Sequence, residues 1–213
     1  MAATAAPWLN QPRMARTRAR FTKRGWWPCV VLTVIFTSTI ASAAETGYTK
    51  DTETGIESWE WREGGVTLQL GQITPGLAQG FYLARGFDAD AADLFAINCA
   101  FMAILRNESA PGKLRFNLAD WRVAAHQQTR PLKLDAEWQK LWQRRGVPAA
   151  ARTAFHWAQL PTEHVYETGD WNMGMVSMGR KPGERFDLRF RWKVNETEQS
   201  GVLTDIRCAA DDR

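Results

Sequence analysis

The sequence is poor in the residues and motifs on which most enzymes and metal sites depend. Its 213 residues include three cysteines and three histidines. It contains no phosphate-binding glycine loop, no dinucleotide-binding fingerprint and no H-E-x-x-H metalloprotease motif. The segment 174–179 is G-x-x-S-x-G, one residue longer than the nucleophile elbow G-x-S-x-G, and no helix is predicted after it. We therefore predict a non-enzymatic protein that needs no cofactor.

The sequence also lacks an apolar run long enough to cross a membrane. The run Cys29–Ala41 has 13 residues, whereas a membrane-spanning helix needs roughly 20. Six basic and no acidic residues precede it within 1–24, and the small residues ASAA follow at 41–44. This order is typical of a secretory signal peptide. We predict that residues 1–43 are the signal peptide, with Met14 as an alternative start, and that the mature chain is periplasmic or secreted without a membrane span.

The mature chain has no excess of basic residues. The full sequence has 27 Lys+Arg and 23 Asp+Glu, and subtracting the six basic residues of the leader leaves 21 against 23. The formal charge of the mature chain is then −2. A nucleic-acid-binding domain needs a basic face, so we exclude nucleic acid as a partner.

The remaining 170 or so residues are the size of one domain. We predict a loose polar lead-in over 44–58 and a single β-sandwich domain over 59–213. Alternating apolar residues and turn signals predict short strands; they lie at 59–70, 114–123, 153–160, 170–178, 186–194 and 201–209, with a buried strand over Leu94–Asn107. Segment 81–87 is predicted as strand or loop, 88–93 as a helical turn, and 135–145 as one helix in a connection.

Two cysteines remain after the leader is removed. Cys99 and Cys208 are far apart in the sequence and form no C-x-x-C pair. In an exported chain the simplest expectation is a disulfide between them. A metal site that uses both thiolates is the alternative.

The segment 97–123, INCAFMAILRNESAPGKLRFNLADWRV, resembles exported immunoglobulin-like accessory domains. In that pattern an apolar strand ends at Asn-x-Ser, and the next strand carries an aromatic-rich core. The resemblance covers about thirty residues. It implies an immunoglobulin-like sandwich, although the helix and the late second cysteine depart from the usual seven-strand plan.

The segment 170–178, DWNMGMVSM, is a candidate copper(I) site. Met173 and Met175 lie two residues apart, so on a strand they share one face. Thioethers and imidazoles are suitable copper(I) ligands, and His156 and His164 precede the segment. The competing interpretation places the methionines in the core, where their flexible side chains fill gaps.

Trp171, beside Gly169 and Asp170, is the best candidate for an exposed aromatic that stacks on a sugar. The function we predict first is an exported binding or accessory protein with a protein partner in the cell envelope. A periplasmic copper-binding protein and a carbohydrate-binding module are the two alternatives.

Overall fold

A computed structural model describes residues 43–213, which form eleven strands and four α-helices. The strands are β1 (Glu45–Lys50), β2 (Glu57–Glu63), β3 (Val66–Gln72), β4 (Ala100–Asn107), β5 (Leu114–Asn117), β6 (Arg122–Ala125), β7 (Gln128–Pro131), β8 (Glu163–Tyr166), β9 (Trp171–Ser177), β10 (Arg185–Val194) and β11 (Thr197–Arg207). The helices are α1 (Pro75–Leu83), α2 (Ala89–Ala96), α3 (Asp135–Arg144) and α4 (Ala149–Ala158). The predicted signal peptide lies outside the described residues.

The strands form two antiparallel sheets. Sheet 1 has the order β1-β2-β3-β4-β9. In sheet 2, β10 pairs with β11 on one side and with β5 and β6 on the other, and these two pair with β8 and β7. The prediction of a mostly β fold built from two sheets is confirmed.

The main core lies between the sheets. Side chains alternate across each strand, so β2 sends Trp59 and Trp61 inward and β10 sends Phe190 and Trp192 toward them. The ring of Trp61 packs edge-on against Phe190, with centroids 5.0 Å apart. Aromatic pairs of this kind add to the stabilisation from burial.

A second core lies between the helices and the other face of sheet 1. Tyr82 of α1, Phe95 of α2, Trp138 of α3 and Phe155 of α4 are fully buried there. Met175 of β9 contributes to the same cluster. The helices therefore cover part of the face of sheet 1 that points away from sheet 2.

Several predicted elements are wrong. The helix over 135–145 is present, but α1, α2 and α4 accompany it, so the prediction of a single helix is wrong. Segment 153–160 belongs mainly to α4 and not to a strand, and 81–87 includes the end of α1. The run 94–107 is not one strand, because α2 ends at Ala96 and β4 begins at Ala100.

The predicted loose lead-in is also wrong. Residues 45–50 form β1, which pairs with β2 from Glu45–Arg62 to Lys50–Glu57. The segment was predicted as a loop because its residues are polar, and all six side chains of β1 are indeed exposed. An edge strand with both faces solvated lacks the apolar alternation by which strands are identified.

The predicted disulfide is confirmed. Cys99 and Cys208 are bonded, with their Cα atoms 5.3 Å apart and a sequence separation of 109. The bond joins the segment before β4 to the segment after β11. Among the described residues, the structure has no helix with the length and hydrophobicity of a membrane span.

Candidate functional site at the β9 edge

The strand β9 is an edge strand of sheet 1 and carries the methionine segment. Trp171, Met173 and Met175 project from the same face, opposite Arg106, Ile104 and Met102 of β4. Their exposure differs: Met175 is 4% exposed, whereas Met173 is 53% and Trp171 is 51% exposed. The helical layer therefore covers one end of this row and leaves the other end open.

The buried end of the row is held by hydrogen bonds. The Tyr82 hydroxyl donates to the Met175 sulfur at 3.4 Å, and the Gln159 side-chain amide donates to the Tyr82 oxygen at 2.8 Å. Burial raises the pKa of Tyr82 well above its usual range, so the hydroxyl stays protonated. The Met175 thioether is thus part of the core and already has a polar partner.

The segment after α4 lies directly on β9. The Leu160 amide donates to the Met175 carbonyl at 3.0 Å, and Gln159 forms an isolated parallel bridge with Met175. A Cβ on Gly174 would overlap the backbone of Gln159 and Leu160, closer than real Cβ atoms approach. Glycine is required at 174 because two backbones meet there.

The open end of β9 has a free backbone edge. The backbone N–H of Asn107 donates to the backbone carbonyl of Asp170, just before β9, at 3.0 Å. Residues that hydrogen-bond to the neighbouring strand alternate along an antiparallel strand, so the even-numbered residues of β9 bond to β4. The carbonyl of Met175, an odd-numbered residue, points the other way. The backbone groups of Trp171 and Met173 therefore point away from β4, toward the edge of the sheet.

A second tryptophan is exposed near this edge. Trp157 is 79% exposed and lies in the last turn of α4, two residues before the bridge to β9. The Arg106 guanidinium lies 4.9 Å from the centroid of the Trp171 ring, a cation–π contact. We call Trp157, Trp171 and Met173 the β9 patch. Exposed apolar surface around one sheet edge is typical of interaction sites.

The predicted metal-site residues are only partly brought together. Met173 and Met175 share a strand face, but one is exposed and the other is buried. His156 lies on α4, with its Nδ1 2.7 Å from an Asp135 carboxylate oxygen. The position of His164 soon after Pro161 predicts a loop, but His164 lies on β8 of sheet 2. Its ring centroid is 4.8 Å from that of Tyr166. Within residues 43–213, no group of three or more His, Cys, Asp or Glu side chains could hold a metal ion.

The exposure of Trp157 is not apparent from the sequence, because the pattern of segment 153–160 predicts a strand. In a strand Phe155 and Trp157 would both face the core, whereas in α4 they lie 200° apart by helix geometry. Phe155 is fully buried and Trp157 is exposed. The alanine-rich residues 149–151 just before the segment, with Ala151 and Phe155 four residues apart, are the available helix signal.

Comparisons of this chain with family models, with curated proteins and with solved structures found no match.

Proposed function

We propose that the mature chain is an exported, non-enzymatic binding protein of the cell envelope that holds a protein partner on the β9 patch. The observation that carries the proposal is the exposure of two tryptophans and a methionine around one sheet edge. An immunoglobulin-like relationship, suggested by the segment 97–123, is part of the same proposal, but a shared fold by itself implies no activity.

The patch residues are of the types that dominate protein interfaces. Tryptophan is enriched among residues whose truncation costs about 2 kcal/mol or more of binding free energy. Methionine adapts its shape to a partner. The Arg106 guanidinium beside Trp171 adds a charge at the rim, where it favours a partner with a nearby carboxylate.

Copper(I) binding is the second candidate, supported by one specific contact. A histidine that binds a metal usually donates its other ring N–H to a carboxylate, a backbone carbonyl or a water molecule. Asp135 contacts His156 Nδ1 in this way, and the His156 side chain is 57% exposed. The ligands in this case would be His156 and Met173, without the buried Met175 and without His164. Stacking of a sugar on the exposed Trp171 ring remains the third prediction.

The test is site-specific photocrosslinking in cells that express the full-length chain. A photoreactive amino acid replaces Trp157, Trp171 or Met173, one at a time. The control position is Val202 of β11, an apolar residue that is 43% exposed on sheet 2. We expect one protein adduct of the same mass from the three patch positions, formed by a processed chain that begins at Ala44.

Two results would contradict the proposal. The first is an adduct of the same mass and yield from Val202, which would show that the partner contacts the control position as well as the β9 patch. The second is the absence of an adduct at all four positions although the chain is exported and folded. A chain that retains residues 1–43 inside the cell would instead contradict the predicted export.

A further inference from the structure

A polar cavity of about 430 Å³ lies at the opposite edge of the sandwich from the β9 patch. It opens between β1 and β2 of sheet 1 and β10 and β11 of sheet 2. Its lining includes two arginine–carboxylate pairs, Arg207 with Glu57 and Arg185 with Asp205, and the aromatic residue Tyr48. The sandwich core closes its inner end through Trp59 and Leu203.

The inner ion pair is a fixed part of the fold. Glu57 is 2% exposed, and its carboxylate accepts hydrogen bonds from Arg207, whose Nε lies 3.2 Å from one oxygen. Lys50 Nζ lies 3.6 Å from the other oxygen. Gln72 joins the two sheets beside this pair, because it accepts from the Glu57 amide at 3.0 Å and donates to the Arg207 carbonyl at 2.7 Å. The Arg207 side chain is partly exposed, but the Glu57 carboxylate is buried, and a buried charge left without its partner is destabilising. The pair therefore forms the floor of the cavity.

The outer ion pair is held differently. An Arg185 guanidinium nitrogen lies 2.5 Å from both carboxylate oxygens of Asp205, and the two side chains are 55% and 71% exposed. An exposed pair of this kind contributes roughly 0–1 kcal/mol to stability. A ligand can therefore separate it at little cost.

The backbone at Asp205 has an unusual conformation. Its φ is 54°, in the left-handed region that non-glycine residues rarely occupy. It lies opposite the register shift between Phe186 and Leu188, and its amide donates to an Asp187 carboxylate oxygen at 3.0 Å. Bulges of this kind often redirect a side chain next to a functional site. Here the irregularity places the Asp205 carboxylate against Arg185 at the rim.

The wall beside the rim is aromatic. Tyr48 of β1 is 56% exposed, and its ring lies 5.6 Å from that of Trp59. An exposed ring backed by a buried one is a surface on which an apolar or aromatic group can pack. The cavity thus has one cation and one anion in contact at its rim and an aromatic surface beside them.

We propose that this cavity binds a free α-amino acid with an aromatic side chain. The ammonium and carboxylate of an α-amino acid are attached to the same carbon, so both charges reach a pair of side chains that are in contact. Its carboxylate replaces Asp205 on Arg185, its ammonium bonds to Asp205, and its ring packs on Tyr48. The exposed pair between Arg185 and Asp205 is replaced by two ion pairs with the ligand, and the net charge of the cavity does not change.

The test is calorimetric titration of the purified mature chain with four small probes. L-phenylalanine carries both charges, 3-phenylpropionate lacks the ammonium, 2-phenylethylamine lacks the carboxylate, and L-phenylalanyl-L-phenylalanine separates the charges by a peptide unit. We expect L-phenylalanine to bind about tenfold more tightly than each of the others, a difference of about 1.4 kcal/mol. Equal affinity of L-phenylalanine and 3-phenylpropionate would overturn the proposal, as would no binding of L-phenylalanine at 10-millimolar concentration, roughly the weak end of specific recognition.

Two variants locate the binding. Arg185→Gln removes the rim cation, and Asp205→Asn removes the anion but keeps a residue that tolerates positive φ. We expect each to weaken L-phenylalanine binding about tenfold without lowering the melting temperature, because the rim pair is exposed. Lys113→Gln is the matched control, since Lys113 pairs with Glu167 at 2.6 Å on the surface with 64% and 63% exposure. Unchanged binding in both rim variants would contradict the assignment. The β9 patch is intact in all three variants, so its crosslinking is independent of this result.

Discussion

Removal of the Cys99–Cys208 disulfide is expected to lower the free energy of unfolding substantially. The bond closes a loop with a sequence separation of 109 residues. Chain entropy for a loop of this length gives about 4–5 kcal/mol, because the cross-link restricts the unfolded chain. Domains are typically stable by about 5–15 kcal/mol, so the loss is a large part of the total.

The perturbation is the double variant Cys99→Ala/Cys208→Ala, which leaves no cysteine in residues 44–213. Cys99 is 5% exposed and Cys208 is fully buried, so the lost sulfur atoms add a small packing cost. Unfolding in urea is followed by tryptophan fluorescence, with the wild type in reductant as the second comparison. We expect both to unfold at a lower urea midpoint than the oxidised wild type.

The slope of the unfolding curve separates the two sources of stabilisation. An unfolded chain without the cross-link is more expanded, so the dependence on urea should become steeper as the midpoint falls. A difference below about 1 kcal/mol between oxidised wild type and double variant would refute the reasoning, because loop entropy of this size would then be absent. Such a result would mean that the unfolded state remains compact without the bond.

Three further predictions concern single sites. Gly174→Ala should destabilise the domain by about 1–3 kcal/mol in urea unfolding, because the backbones of β9 and of the segment after α4 meet there. Gly80→Ala, which lies in open space on α1, should stabilise the domain by about 0.5–1 kcal/mol. Equal effects of the two changes would contradict the packing of the segment after α4 on β9. Burial raises the pKa of Glu57, but the hydrogen bond and charge of Arg207 outweigh this effect, and the pKa is lowered overall. The ionised group therefore stabilises the fold above about pH 4.3, and this stabilisation is lost as the pH falls through the lowered pKa. Glu57→Gln should make the urea midpoint fall less steeply in acid, and parallel curves for the variant and the wild type would refute this. In an anaerobic titration with copper(I), the wild type should bind no more copper than the Met173→Leu variant. Stoichiometric binding by the wild type that is lost in Met173→Leu would favour the copper function over the protein partner.

The parts of the fold with a clear periodic pattern were predictable from the sequence. In β10, Phe186, Leu188, Phe190 and Trp192 alternate with polar residues, and each is buried. Such a strand has one face in the core, so period two is visible in the residues themselves. The disulfide was predictable for another reason, because only two cysteines lie outside the predicted signal peptide.

The helices α1 and α2 show why other parts were not predictable. In the sequence, Pro75-Gly76 indicates only a break after a strand, but Pro75 is the first residue of α1, where proline needs no amide hydrogen bond. Thr74 caps this helix through a hydrogen bond from the Leu77 amide at 3.2 Å. Farther on, one apolar run includes the end of α2 and all of β4. The turn between them depends on Cys99 at a φ of 55°, a conformation that its residue type does not suggest.

The candidate sites depended on tertiary contacts. Arg207 and Glu57 are 150 residues apart in sequence, and no local pattern joins them. Met173 and Met175 look equivalent in the sequence, yet α4 covers one and leaves the other exposed. A strand pattern specifies which side chains share a face, but it does not specify how much of that face another element will cover.

The most direct measurement is a hydroxyl-radical footprint of the chain in intact envelopes and after purification. In the purified protein, Met173, Trp157 and Trp171 should all be modified, because each is at least 51% exposed. In the envelope we expect these three residues to be protected together, while Val202 on sheet 2 is modified equally in both states. Equal modification of the three patch residues in both states would contradict the account, because the β9 patch would then face solvent where the protein acts.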